Sequence, residues 1–362
     1  MRGPNHEQDF IFSYHSPADR VPFDHPLRLI KGMANQALKE LSPEFSKMYS
    51  PIGRSSIPPE KLIRALLLQA LYSIRSERLL MEELDYNLLF RWFVGLSMED
   101  EVWDHSTFSK NRDRLLDSDI VRKFFDQILD QARAQGLLSD EHFTVDGTLI
   151  EAWASQKSFQ PKEEGPSGPT GGGDGRNEDV DYRGQKRSNE THASTTDPDA
   201  RLSKKSSGGE ARLSYMGHVL MENRNGLVVD QRVSISSGTA EPEAAVAMVS
   251  EIPGSHRITV GMDKGYDRRA CVEDLRQLNA TAHVAQRKVA SSIDDRTARH
   301  PGYAVSQRVR KRVEEIFGWM KTVGGYRKTR FRGVDRVGWG FTLAMTAYNM
   351  VRIRNLMLEK PL

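Results

Sequence analysis

Three carboxylates in this 362-residue chain stand where their type and spacing could do chemistry: Asp146, Asp263 and Glu314. Asp146 closes the alternating run that starts at Phe143, and Asp263 closes the run that starts at Ile258. In both runs the apolar residues fall on one face of a strand and the acid on the other. Open sheets with helical crossovers bind ligands outside the carboxyl ends of their strands, where both aspartates lie. Glu314 belongs to the segment from Arg308 to Lys321, whose Val309, Val313, Ile316, Phe317 and Met320 form the stripe of one amphipathic helix. At about 100° per residue, Arg310, Glu314 and Lys321 cluster along one edge of that stripe and Glu315 points to water. Three converging carboxylates suit a pair of Mg²⁺ ions, one activating an attacking oxygen and the other stabilising a leaving oxygen. Blander readings stand beside this one. An aspartate before glycine is often only a turn residue, Asp267 and Glu151 are close competitors, and Arg310 could simply pair with Glu314 at i,i+4 for about 0.2–0.5 kcal/mol.

The elements that must position these residues differ along the chain. Residues 21 to about 140 read as helical. Leu27, Leu29, Ile30, Met33 and Ala37 share a stripe, Pro58-Pro59-Glu60 opens a helix from Lys61 to Ser76, and Asp104 caps a helix through Arg112 and Arg114. Such short helices fit a helix-turn-helix that contacts DNA, and fit a plain bundle equally well. From His142 the period changes to two. Strands are expected near Tyr215–Leu220, Gly226–Ile235, Arg257–Asp263 and Thr281–Val289, with helices from Glu241 to about Ile252 and from Arg268 to Leu278. The order β-β-β-α-β-α-β-α makes an α+β chain: a helical N-terminal domain over residues 1–140, then a domain over 141–362 with a mixed sheet flanked by helices. Residues 155–210 are rich in Gly, Pro, Ser and charge, which suggests a flexible insertion. Its Gly171–Gly175 run lacks the Gly-Lys-Ser/Thr ending of a phosphate loop.

Bulk charge decides little, since the net charge is +3. Its distribution says more: residues 301–340 carry ten Lys or Arg against Glu314, Glu315 and Asp335. A focused basic patch of that kind fits phosphate backbones. Arg308, Arg312, Arg327, Lys328, Arg330 and Arg332 are its DNA-binding candidates. Trp319 and Tyr326 could stack on a base, although packing suits them better. A single cysteine, Cys271, excludes a disulfide framework and a CxxC zinc site and points to a reducing cytoplasm. The N-terminus has no apolar signal core, and the uncharged run from Val337 to Val351 is shorter than the roughly 20 residues a bilayer span needs. That run is expected to be a buried helix, and no membrane association is expected.

Asp146-Gly-Thr148, Asp263-Lys-Gly-Tyr-Asp267 and the Glu314 helix resemble the DDE transposases of bacterial insertion sequences. The likeness is nearest to the insertion sequence five group within the insertion sequence four superclass, known for a Tyr-x2-Arg-x3-Glu-x6-Lys signature. Arg310, Glu314 and Lys321 match that spacing, and Gln307 stands at the tyrosine position. The segment from Asp104 to Arg112 resembles the family's N-terminal domain, so the resemblance covers nearly the whole chain. It implies a ribonuclease H-like fold, with Asp146, Asp263 and Glu314 binding two Mg²⁺ or Mn²⁺ ions. Lys321 and Arg310 would hold phosphates. The implied reaction is cleavage at the terminal inverted repeats of double-stranded DNA, followed by joining of the 3′-hydroxyls to target DNA. A dimer synapsing two ends in the bacterial nucleoid would carry it out. The competing readings are a catalytically silent DNA-binding protein from a domesticated or decayed element, and a metal-dependent nuclease of the same fold.

Overall fold

A computed structural model describes residues 16–50, 52, 56–162, 180–182, 185–205 and 208–359. The Gly171–Gly175 run lies outside them. Eight helices come first: α1 (Pro17–Arg20), α2 (Leu27–Glu40), α3 (Ser42–Met48), α4 (Pro59–Leu71), α5 (Glu77–Tyr86), α6 (Leu88–Val94), α7 (His105–Leu116) and α8 (Ile120–Ala134). The capping residues act as their chemistry predicts. Ser76 accepts from the Leu79 amide at the start of α5, and Asp104 from the Ser106 amide at the start of α7. The expected helix to Ser76 stops earlier, at Leu71, because Ser73 adopts φ 55, a left-handed conformation that no helix continues through.

Strand β1 (His142–Glu151) is the middle of the main sheet. On one side it pairs antiparallel with β7 (Arg212–Glu222), whose far edge takes β8 (Val228–Ile235) and the short β6 (Arg201–Ser203). On the other side it pairs parallel with β9 (Ile258–Met262), which pairs parallel with β10 (Ala280–Val284). Two small antiparallel pairs lie apart: β2 (Phe159–Pro161) with β5 (His192–Ser194), and β3 (Val180–Tyr182) with β4 (Gln185–Arg187). The described part of 155–210 therefore includes short paired strands, and β6 even extends the main sheet. Sequence periodicity misses them because three residues are too few to establish alternation.

Helices cover both faces. Phe143, Val145, Val260 and Met262 pack under α9 (Ala240–Ser250) and α10 (Arg269–Gln277). The opposite face, with Ile150, Tyr215 and Val219, packs against α13 (Val313–Thr322) and α14 (Val334–Glu359). Two further helices, α11 (Asp295–Arg299) and α12 (Pro301–Val309), lead into α13. The middle of helix α14 is uncharged and buried at every position from Trp339 to Met350, the mark of a helix enclosed on every side there. Its Phe341, Ala344 and Met345 join the sheet's core, while Trp339, Leu343, Ala347, Met350 and Ile353 join the core of the N-terminal helices. Gly217 lets α14 approach the sheet: a Cβ there would lie 2.9 Å from Ile150 Cδ1 and 3.0 Å from the Phe341 ring. Among the described residues no helix is long and apolar enough to cross a membrane.

The expected single helix from Arg308 to Lys321 is interrupted. Arg310–Arg312 form a 3₁₀ turn between α12 and α13. Such a turn winds at about 120° per residue against about 100° in an α-helix, so three residues shift the phase of α13 by roughly 60°. The buried stripe survives, with Val313, Ile316, Phe317 and Met320 all in the core.

Candidate active site

Asp146 and Asp263 come together through strand register. The β1–β9 ladder pairs His142 with Thr259, Phe143 with Val260 and Thr144 with Gly261. The same offset carries Asp146 to the level of Asp263, just past the last β9 residue. Both acids then fall on the side of the sheet opposite Val145 and Met262, as alternation dictates. One Asp263 oxygen accepts the Gly265 amide at 2.6 Å and so caps the 3₁₀ turn Lys264–Tyr266. Asp146 accepts the amide of Gly147 at 2.8 Å.

These acids line a cavity of about 230 Å³ together with Thr148, Glu241, Lys204, Lys205 and Lys321. Burial pushes the Asp146 carboxyl up to about 7, and the neighbouring charges of Asp263 and Glu241 add to the rise. The Gly147 amide and the Arg310 guanidinium oppose it. A carboxyl held that high among other acids is a site where a cation would be stabilising. Lys321 reaches in from α13 and donates to Thr148 Oγ1 at 2.5 Å. Its ammonium is pushed below the usual lysine range by burial and by the nearby charges of Lys205 and Arg327.

Arg310 is held in place by the residue at the departing signature position. Gln307 donates from Nε2 to the His283 carbonyl at 2.6 Å and accepts Arg310 Nε at 2.9 Å. The amide therefore links strand β10 to the guanidinium near Asp146. Glu314 is placed differently from the sequence expectation: it is exposed and does not line the cavity. The 3₁₀ turn shifts it in phase from Arg310, and Lys321, on the same side of α13, reaches the cavity from seven residues, roughly 10 Å, further along the helix. Glu241 stands inside instead, a residue that sequence reasoning passed over. The competitors are engaged elsewhere. Asp267 accepts the amides of Arg287 and Ser292, and Glu151 pairs with Arg212 and Lys328.

The basic candidates divide. Arg308, Arg327, Lys328, Arg330 and Arg332 are exposed, with Lys328 over the Trp153 ring at 6.0 Å. Arg312 donates to the carbonyls of Asn223 and Arg224, and Arg330 to those of Ile74 and Arg75, so both brace the backbone. Trp319 packs edge-on against Tyr348, and the buried Tyr326 donates to the Val337 carbonyl, so both are packing residues.

The donor set fits a hard divalent cation: every acid at the cavity offers oxygen, and their mutual repulsion favours an ion between them. Among the described residues, no three acidic, histidine or cysteine side chains already stand close enough to hold one.

Residues 138–350 match the family model described as Transposase DDE domain, and residues 15–114 match the one described as Transposase domain (DUF772). Among solved structures, the chain is similar to a piggyBac transposase synaptic complex with hairpin DNA at 11% identity and a TM-score of 0.41, over 93% of this chain and 77% of that one. It is similar to a pre-cleavage Mos1 transpososome at 9% identity and a TM-score of 0.20, over 86% and 83%. Neither likeness is close enough to carry a structural argument.

Proposed function

Because the chain belongs to the transposase DDE domain family and is a DNA transposase, we propose that it cuts phosphodiester bonds at insertion-sequence ends and joins the 3′-hydroxyls to target DNA. The observation that carries this reading is the register-matched pair Asp146 and Asp263 in a cavity walled by Lys204, Lys205 and Lys321. Within the reading, Asp146 and Asp263 would hold two Mg²⁺ ions, or Mn²⁺ in their place, and Glu314, exposed and outside the cavity in the DNA-free chain, would have to swing toward them to complete the set. When bound, such ions supply Lewis-acid stabilisation of the attacking and leaving oxygens.

The chain's own residues do the rest. Asp146 and Asp263 fix where positive charge can sit at the strand ends. Lys321, held by Thr148, presents its ammonium to a phosphate oxygen, and Arg310, held by Gln307, presents a second cation on the same side. Arg308, Arg327, Lys328 and Arg332 follow the DNA backbone without reading bases. The helices before residue 140 bind the terminal repeats, and two copies synapse two ends on DNA in the bacterial nucleoid. What supports a ribonuclease H-like arrangement is the strand order β8-β7-β1-β9-β10, with β1 central, antiparallel to β7 and parallel to β9. What supports the insertion sequence five group is Arg310, Glu314 and Lys321 at their signature spacing.

The test mixes purified protein and Mg²⁺ with DNA bearing the element's terminal repeats. Metal-dependent cleavage that disappears in Asp263→Ala is expected, followed by strand transfer to a second duplex. Cleavage without transfer would make the protein a nuclease, and binding without cleavage a silent DNA-binding protein.

A further inference from the structure

We infer that the cavity at the start of α12 is a second phosphate site, which holds a backbone phosphate of the same DNA that reaches Asp146 and Asp263. The inference rests on the proposed reading of the chain as a DNA-cutting enzyme. It adds a contact outside the acidic cavity and outside the family signature.

Its first support is placement. The cavity has a volume of about 590 Å³. Part of its lining is a row across three parallel strands, with His142 opposite Thr259 and Thr259 opposite Thr281. Phe143, Val260 and Ala282 point into the core on the other side, so alternation puts the row on the face that carries Asp146 and Asp263. His142 precedes Asp146 by four residues on β1, roughly 13 Å. Phosphates of one DNA strand advance about 3.4 Å along the axis, so a duplex lying along this face covers that distance in about four base pairs. Helix α12 joins the two sites: the cavity is at its first turns, and Arg310, near Asp146, is just past its end. The exposed Arg308 lies between them on the same helix.

A second support is charge. Among the described residues no acidic side chain lines the cavity, whereas Arg257 and Arg296 do. Both are exposed, and neither has an ion pair or a side-chain hydrogen bond among the described residues. Neighbouring arginines are matched, Arg299 with Asp295 and Arg276 with Asp294. Asp294 feels the charge of Arg296, but its oxygens go to Arg276 and to the Thr297 amide. Two unmatched guanidiniums at one concave site suit the oxygens of a phosphate.

A third support is the set of imidazoles. Buried Ser306 Oγ is 2.9 Å from His142 Nε2 and 2.7 Å from His283 Nδ1. Its one proton serves only one ring, so the other ring donates to it. The second nitrogens, His142 Nδ1 and His283 Nε2, have no partner among the described residues. His300 accepts the Gly302 amide on Nδ1 at 3.1 Å, which leaves the proton of its neutral ring on Nε2. The ring that accepts from Ser306 likewise carries its proton on the outer nitrogen. Two of the three imidazoles lining the cavity therefore have an N–H left to donate, and a phosphate oxygen accepts such groups.

The experiment measures binding of a labelled DNA duplex to the full-length protein by fluorescence anisotropy, in EDTA and over a range of salt concentrations. Wild type is compared with Arg257→Gln, Arg296→Gln, the double variant and Arg299→Gln. The last removes the same charge from the same helix outside the cavity. Each fold is checked by circular dichroism. Losing one phosphate contact lowers the slope of log affinity against log salt by about 0.9, or about eightfold in affinity at about 0.1 M salt relative to about 1 M. The double variant should show that loss and each single variant part of it, while Arg299→Gln should stay within about twofold of wild type. Equal losses in Arg299→Gln and the double variant, or none in either, would overturn the inference. Inorganic phosphate is titrated in parallel and followed by thermal unfolding. Phosphate that stabilises wild type but not the double variant, with DNA affinity unchanged, would assign the cavity to a free phosphate and overturn the DNA contact. Wild type that shows the expected pattern of DNA binding but no cleavage with Mg²⁺ would support this site and sink the cleavage reading. Wild type that does not bind DNA would sink both.

Discussion

Replacing Asp146 by Asn removes a carboxyl whose proton is held up to about pH 7 by burial and by the charges of Asp263 and Glu241. In an unfolded chain an aspartate titrates near about 3.9. Between these values the folded protein keeps a proton that the unfolded chain has released, so metal-free wild type loses stability as pH rises from about 4 to about 7. At about 1.36 kcal/mol per unit, a gap of roughly three units corresponds to roughly 4 kcal/mol. Asp146 is only half-buried beside an open cavity, and solvent screening reduces the figure to roughly 2 kcal/mol. The neutral Asn carries no such penalty. The two proteins should therefore match in their pH-dependent part near pH 4, and the variant should gain by roughly 2 kcal/mol by about pH 8. Urea unfolding in EDTA at several pH values reads the difference directly. A stability difference that stays flat from about pH 4 to about pH 8 would refute the claim that Asp146 sits in a repulsive, desolvated site. Adding Mn²⁺ at about pH 8 should reverse the order, because an ion that binds only the folded wild type stabilises it alone.

Three further outcomes are expected. Lys321→Met should leave Mn²⁺ binding in place but lower cleavage of terminal-repeat DNA on the order of 10²-fold, the usual scale for losing one charge-stabilising donor; equal cleavage rates would remove Lys321 from the site. Tyr215→Phe removes the buried hydroxyl that donates to Asp197 Oδ1 at 2.5 Å and accepts the Gly333 amide, so unfolding should show a loss of about 1–3 kcal/mol. Gly340→Ala should be destabilising by about 1–3 kcal/mol or more in the same assay, because its Cβ would lie 2.5 Å from the Tyr326 hydroxyl and 2.7 Å from the Phe331 ring.

Much of the candidate site's geometry could be read before folding was considered. The two aspartates are 117 positions apart, and that interval is the β1–β9 register offset, so alternation along each strand already told which face they share. The amphipathic stripe of α13 and the buried α14 were legible for the same reason, a regular period over many residues. Glu241 was not. An acid in the first turn of a helix is ordinary, since it complements the helix dipole, and nothing local says that the turn lies beside Gly147. The 3₁₀ turn at Arg310–Arg312 was also hidden, because its residues are good helix formers and the tightening comes from tertiary packing. Arg312 and Arg330 looked like phosphate contacts by charge alone. Only the fold shows that backbone carbonyls from residues far off in sequence meet them first.

Helix α14 faces two ways, toward the sheet with Phe341 and Met345 and toward the N-terminal helices with Trp339, Leu343 and Met350. The last helix of the chain thus completes the packing of the first eight. The N-terminal helices are consequently not an interchangeable cassette. Expressed without α14, they would expose the apolar groove it fills, and a foreign recognition module spliced in at residue 140 would have to rebuild that groove side chain by side chain. Any DNA gripped by those helices would be held at a fixed span from Asp146 and Asp263, as by the arm of a caliper rather than the end of a tether.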